Sequence, residues 1–211
     1  MLWHMDRIGR VALTGAALVT AGFTSGGPLR TIDDTLIHES IPVTVGERLE
    51  LKLETGGTVH ITGSDQPMVT VEAKLRSDQC PDGKMTVTNV KGVVHVTSHL
   101  SARYNQSCSV PDAIEISVPR QFDVLIESEG GAVSIEQVSG QIRGHTNGGA
   151  LTLARVGGTL DLTTLAGDVQ LTDSNVDGSL KTGDGTVTFV HVAGKVRGKS
   201  STGGADVKGE G

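Results

Sequence analysis

The most regular feature of the chain is an alternation of apolar and polar residues in its second half. Four segments share the order glycine, any residue, apolar, polar, apolar, and their glycines recur every 18 residues: 131–135, 149–153, 167–171 and 185–189. A fifth copy begins at Gly203. Such alternation turns one set of side chains inward and the other towards solvent. We expect the apolar members to form inward stacks: Val133, Ile135, Leu151, Leu153, Val169, Leu171, Val187 and Phe189.

Each copy continues with a second apolar pair around a glycine turn, at 138–142, 156–160, 176–180 and 192–196. In the third copy this pair comes two residues late although the period stays at 18, so we expect a local bulge there. One copy cannot bury its own apolar face, whereas stacked copies bury a continuous one through parallel strands. The expected fold is all-β: a β-solenoid, a parallel β-helix-like stack of 18-residue coils.

The first half alternates without a fixed period, at 48–55, 68–74, 93–97 and 114–118. It predicts a less regular β-domain ahead of the solenoid. Because 57–61 repeats the later pattern, a single continuous stack with an irregular first part is the alternative. The predicted boundaries are 1–21 for a signal peptide, 22–120 for an irregular β-domain with one disulfide, and 121–211 for the solenoid repeats.

The glycine-glycine-x-valine-x-isoleucine motif, preceded by the strand-like segments 114–119 and 124–128, resembles a known family. It is similar to the bacterial β-strand-repeat family of unknown function whose members are described as putative adhesins. The resemblance spans 31–211. It implies a β-repeat architecture and a role in adhesion, and it implies no catalytic residues.

The first 21 residues have the features of a secretory signal peptide. Arg7 and Arg10 precede the apolar run 11–23, and Ala21 suits a small-residue cleavage site. An uncleaved membrane anchor is the alternative, but this run of 13 residues is shorter than the ~20 that a bilayer crossing needs. We therefore expect export to the periplasm or the cell surface, with no transmembrane span after cleavage.

Charge narrows the range of partners. Loss of Asp6, Arg7 and Arg10 with the signal changes the formal net charge from −6 to −7. An acidic chain without a long basic run lacks the clustered lysines and arginines that nucleic-acid binding requires. Nucleic acid is therefore not an expected partner, and anionic membrane surfaces are disfavoured for the same reason.

Cys80 and Cys108 are the two cysteines of the chain. An even number of cysteines in an exported chain predicts one disulfide between them. Closing this loop would lower the entropy of the unfolded chain and so stabilise the folded state by about 3.5 kcal/mol in the entropy model. A catalytic thiol pair is the alternative, but the spacing is not that of a CxxC motif.

Histidine and aspartate residues are the candidate metal ligands of the chain. His95 and His99 lie four residues apart on one strand, which separates them by roughly 13 Å, too far for one zinc ion. Acidic side chains cluster in the third copy: Asp161, Asp168, Asp173, Asp177 and Asp184. Carboxylates suit calcium, so a weak calcium site near Asp173 and Asp177 is left open, with solvated turn carboxylates as the ordinary interpretation. No cofactor is expected.

The favoured function is that of a non-enzymatic envelope protein that uses extended sheet faces for adhesion, scaffolding or the binding of an unidentified partner. The alternative is a carbohydrate-active enzyme, a lyase or hydrolase, which would need a cleft of paired carboxylates with an aromatic ring nearby. Few aromatic residues follow the predicted signal peptide, so few rings are available to bind a sugar in such a cleft. The C-terminal coil at 203–207 predicts either self-association or a frayed end, because a terminal coil exposes unpaired backbone.

Overall fold

The computed structural model describes residues 34–76, 84–99, 113–203 and 205–208, all within the compact unit Ile32–Gly211. Every regular element in these ranges is a β-strand, so the all-β prediction is confirmed. No helix of the described residues has the length and apolarity to cross a membrane.

The strands are β1 (Asp34–Pro42), β2 (Arg48–Leu53), β3 (Thr58–Ser64), β4 (Met68–Arg76), β5 (Lys84–Val90), β6 (Val93–His99), β7 (Ala113–Pro119), β8 (Asp123–Ser128), β9 (Val133–Glu136), β10 (Ser139–Thr146), β11 (Leu151–Ala154), β12 (Gly157–Ala166), β13 (Val169–Asp184), β14 (Val187–Ala193), β15 (Val196–Ser200) and β16 (Ala205–Lys208).

All of these strands belong to one mixed sheet. Thirteen of them follow a single hydrogen-bonded path, β1-β4-β7-β3-β9-β11-β13-β12-β10-β8-β2-β6-β5. The sheet turns at β13, whose residues 169–172 pair with β11 and whose residues 175–184 pair with β12. Two limbs result: the first limb leads from β13 through β11 and β9 to β1, and the second limb leads through β12, β10 and β8 to β5. The nearly closed sheet surrounds one hydrophobic core.

The expected β-solenoid stack preceded by a less regular β-domain is wrong. Strands from the first part of the chain lie inside the same sheet, because β3 pairs with β9 in the first limb and β2 pairs with β8 in the second. Antiparallel pairs then extend both limbs: β1 with β4, β4 with β7, and β5 with β6. A strand edge offers backbone donors and acceptors to any strand, so pairing does not require the 18-residue period on which the prediction rested.

The inward stacks are confirmed. All eight predicted apolar side chains are buried, with at most 3% exposure. Neighbouring strands in this region pair in parallel with a constant offset of 18 residues, so Leu153 lies between Ile135 and Leu171. The repeat therefore aligns like residues in columns across the strands.

The bulge expected in the third copy is absent, because the offset between β12 and β13 stays at 18 from Asn175 to Thr182. Ser174, rather than Val176, occupies the column of Val138 and Val156 and is 5% exposed. Its Oγ accepts the N–H of Val156 at 3.1 Å and donates to the carbonyl of Thr172 at 2.7 Å. These two bonds satisfy the buried hydroxyl, so the column accepts serine without a change of register.

A second column consists of hydroxyl side chains at the other end of the strands, again 18 residues apart: Ser128, Thr146, Thr164, Thr182 and Ser200. Each donates a hydrogen bond to a backbone carbonyl of a glycine-containing turn, as Thr182 does to Gly167 at 2.8 Å. A buried carbonyl without a partner would be costly, so this column holds the turns in place. The 18-residue spacing of these hydroxyl residues is present in the sequence, but the hydroxyl column was not among the predictions.

Candidate interaction surface

The strand β15 lies outside the two limbs and pairs in parallel with residues 178–182 of β13. The outer surface formed by the second limb and β15 is built from lateral rows of side chains. The registers of β10, β12, β13 and β15 align two outward rows, Arg143-Asp161-Ser179-Arg197 and His145-Thr163-Lys181-Lys199. Strands in a sheet lie about 4.8 Å apart, so each side chain has a neighbour at that spacing in its row. Alternate residues of the same strands point into the core, which fixes the orientation of both rows.

Five exposed cations cluster on this surface, and we name them the basic face: Arg143, Lys181, Lys195, Arg197 and Lys199. Two carboxylates lie among them. Asp177 accepts the backbone N–H of Lys195 at 2.6 Å, and Asp161 accepts the Ser179 hydroxyl at 3.0 Å while lying 3.9 Å from the Lys181 ammonium. Cations therefore outnumber carboxylates on this part of an acidic chain.

The basic face was not predicted from the sequence, because its members are scattered along the chain. A signal was present nevertheless: Lys181 and Lys199 are one 18-residue period apart, and Arg143 and Arg197 are three periods apart. Parallel pairing at that period places such residues in the same lateral row. A run of basic residues is therefore not the only sequence pattern that yields a basic patch.

The first limb carries a different row, in which His38, Glu72, Glu115 and His60 lie side by side on β1, β4, β7 and β3. His38 Nδ1 lies 3.1 Å from Glu72 Oε1, and both side chains are exposed. Part of this row lines a shallow depression of about 360 Å³ together with Leu36 and Ala73. The row was not predicted, since antiparallel pairing brings these residues together from distant positions.

A second depression, of about 330 Å³, includes Glu47, Phe122 and Asp123. It bears on the carbohydrate-active alternative, which needs carboxylates beside an aromatic face. Phe122 is only 4% exposed, so its ring packs in the core and presents little surface to a sugar. Asp123 Oδ1 accepts the Gln141 N–H at 2.7 Å, and Glu47 Oε1 accepts the Thr44 hydroxyl at 3.0 Å. Both carboxylates therefore accept hydrogen bonds from the protein itself, Asp123 from a backbone N–H and Glu47 from a side-chain hydroxyl.

The candidate calcium ligands have other partners. Asp173 Oδ1 lies 3.0 Å from His191 Nδ1, and Asp177 Oδ1 accepts the backbone N–H of Lys195. Within the described ranges, no group of three or more histidine, cysteine, aspartate or glutamate side chains is arranged to hold a metal ion. Asp173 and Asp177 therefore do not belong to such a group within these ranges.

His95 and His99 face separate carboxylates, as their spacing on one strand suggests. His95 Nδ1 lies 3.3 Å from Glu50 Oε2, and His99 contacts Glu54. The predicted disulfide partners Cys80 and Cys108 lie outside the described residues, as does the predicted signal peptide 1–21. The disulfide and the signal peptide therefore stay predictions.

A polar edge runs along the corner between the limbs. Four of its residues have left-handed backbone conformations at 18-residue spacing: Gln137 (φ 59°), Arg155 (φ 52°), Asp173 (φ 49°) and His191 (φ 51°). This conformation costs a non-glycine residue roughly 1–2 kcal/mol. Beside them Arg120 Nε donates to Asp65 Oδ1 at 2.7 Å. That hydrogen bond and the charge of the guanidinium lower the pKa of the Asp65 carboxyl below its ordinary value.

No family model matches the chain. None of the curated proteins matches it significantly either.

Several bacterial structures resemble it at low identity. A putative cell adhesion protein from Clostridium sporogenes is 10% identical, with 84% of this chain and 100% of that chain covered and a TM-score of 0.45. A putative adhesin from Bacteroides fragilis is 14% identical, with 82% of this chain and 97% of that chain covered and a TM-score of 0.35. A putative lipid binding protein from Parabacteroides distasonis is 8% identical, with 85% of this chain and 96% of that chain covered and a TM-score of 0.29.

The structural neighbours of the chain thus include bacterial proteins described as putative adhesins, the group that its repeat motif resembles. At these identities and TM-scores, the likeness carries no inference about function.

Proposed function

We propose that this chain is an exported, non-enzymatic envelope protein that holds a partner against the outer surface of its sheet, in adhesion or scaffolding. The observation that supports this proposal is the pair of aligned outward rows on β10, β12, β13 and β15. The export component rests on the signal peptide predicted at 1–21.

Rows of this kind suit binding by many small contacts. The buried columns beneath them fix each strand, so the outward side chains start from a backbone that is already ordered. A binding surface that is ordered in advance loses less conformational entropy when a partner docks. An extended partner could therefore contact several strands at once without a deep pocket.

The test is site-specific photo-crosslinking in the native envelope. A photoreactive residue replaces Ser179, which lies in the middle of an outward row, and a control replaces Val45, which is fully exposed in the segment between β1 and β2. We expect a discrete adduct from position 179 and none from position 45. Equal labelling at both positions, or no adduct from position 179, would contradict the proposal.

Two further measurements address export and the absence of catalysis. N-terminal sequencing of the protein recovered from the envelope should begin near residue 22, and a chain that starts at Met1 would contradict processing. Incubation with envelope polysaccharides should release no new sugar ends, because the proposal assigns binding without bond cleavage. Release that depends on Glu47 or Asp123 would favour the carbohydrate-active alternative.

A further inference from the structure

The basic face combines like charges at short range. Lys181 and Lys199 are direct partners on β13 and β15, about 4.8 Å apart in strand spacing. Arg197 and Lys199 are alternate residues of β15 and lie about 6.7 Å apart along the strand, and Lys195 directly precedes that strand. Like charges directly opposite each other on adjacent strands are destabilising. The opposed lysines therefore lower the stability of the folded protein, and an anionic partner bound to the basic face would offset their repulsion.

From these observations we infer that the basic face binds an anionic polysaccharide, an inference that rests on the proposed function and names its partner class. Arginine guanidinium groups pair with carboxylates through two parallel hydrogen bonds, and lysine ammonium groups act as point charges. Arg143 and Arg197 stand three strands apart in one row, which spans roughly 14 Å. A linear polymer with regularly recurring carboxylates can reach both ends of this row.

The side chains between the cations favour a polysaccharide over a bilayer or a folded protein. Thr163 and Ser179 place hydroxyl groups within the two rows, where they can exchange hydrogen bonds with sugar hydroxyls. All eight members of the rows are polar or charged. Insertion into a membrane interface uses large apolar side chains, which these rows lack. Hot spots of protein interfaces are enriched in tryptophan, tyrosine and arginine, and of these the rows supply only arginine.

Because the chain as a whole is acidic, we expect binding to depend on local contacts and to weaken with salt. The probe is fluorescently labelled polygalacturonate, a polymer of uronic acid, measured by anisotropy with the purified mature protein at low and at physiological ionic strength. Neutral dextran of similar length and vesicles of an anionic phospholipid are the comparisons. We expect salt-sensitive binding of polygalacturonate, with dextran and vesicles much weaker.

Charge reversal locates the site. The double variant Lys181→Glu and Lys199→Glu changes the basic face, and the matched control Lys52→Glu and Lys84→Glu changes two exposed lysines on strands of the same limb. We expect the first variant to lose at least about tenfold in affinity and the control less than about twofold. Equal losses in the two variants would attribute binding to net charge and overturn the inference.

A milder variant separates loss of binding from loss of folding. Lys199→Gln removes one of the two opposed lysines, so it should lower affinity while leaving the melting temperature unchanged or raised. A parallel fall in both quantities would indicate damage to the fold and contradict the argument from repulsion.

The outcomes distinguish this inference from the proposed function. A protein adduct from position 179, with no binding of polygalacturonate, would overturn the polysaccharide inference and keep the proposed function. Polygalacturonate binding that the Lys181→Glu and Lys199→Glu variant loses, without any adduct in the envelope, would support the inference about the basic face. It would contradict the part of the proposed function that places the bound partner in the native envelope. Stronger binding to anionic vesicles than to polygalacturonate would overturn the inference in favour of a lipid surface.

Discussion

Substitution of one inward and one outward residue of the same strand tests the arrangement of the core. Leu153 is 1% exposed and lies between Ile135 and Leu171, whereas its neighbour Thr152 is exposed between Ser134 and Gln170. Leu153→Asp therefore places a carboxylate among apolar side chains, and Thr152→Asp places the same group in solvent. The two variants are matched in strand and in introduced group.

The expected magnitudes differ widely. Removing the buried Leu153 side chain down to alanine should cost about 2–5 kcal/mol. A buried carboxylate adds several kcal/mol, or is held neutral by a raised pKa at a similar cost. Thr152→Asp should cost at most about 1 kcal/mol, mainly through the lower strand preference of aspartate. Since domains are stable by about 5–15 kcal/mol, Leu153→Asp should remove most or all of the folding free energy.

Urea titration followed by circular dichroism measures these losses. If Leu153→Asp does not fold, Leu153→Ala and Thr152→Ala give a quantitative pair, with an expected difference of at least about 2 kcal/mol in the free energy of unfolding. Similar losses at the two positions would refute the reasoning. They would mean that the strand faces the opposite way, as a shift of one residue in register produces.

Three other predictions concern covalent, backbone and charged features. Mass spectrometry of the unreduced protein should find Cys80 joined to Cys108, and two freely alkylated thiols would contradict this. Gly178→Ala should lower the free energy of unfolding, measured by urea titration, by at least about 3 kcal/mol, because φ is +129° and the added Cβ would lie 1.9 Å from a backbone carbonyl oxygen. The control Gly148→Ala adds a Cβ with no atom within 4 Å and should change that free energy little. Equal losses in the two variants would refute the close packing at Gly178. Asp65→Asn should destabilise the protein at neutral pH. Its effect should shrink as the pH falls through the lowered pKa of Asp65, since a carboxyl with a lowered folded-state pKa stabilises only while ionised, so an effect that grows in acid would oppose the assigned ion pair.

The candidate surface could be predicted only in part. The period of 18 residues is enough to align Lys181 with Lys199, provided that charged positions are compared across the repeats in the same way as apolar ones. The row that contains His38 and Glu72 carries no such signal. It depends on antiparallel pairing between β1 and β4, which nothing local in the sequence specifies.

The sequence by itself determined which residues of the repeats point inward, because alternation along a strand and a fixed period are local properties of the chain. It also determined the all-β class. Only the tertiary structure decided that β2 and β3 join the repeat strands in one nearly closed sheet, and that Ser174 takes a valine's place in its column. The physical reason is that strand edges pair through backbone groups common to all residues. The choice of partner therefore depends on the packing of the whole core.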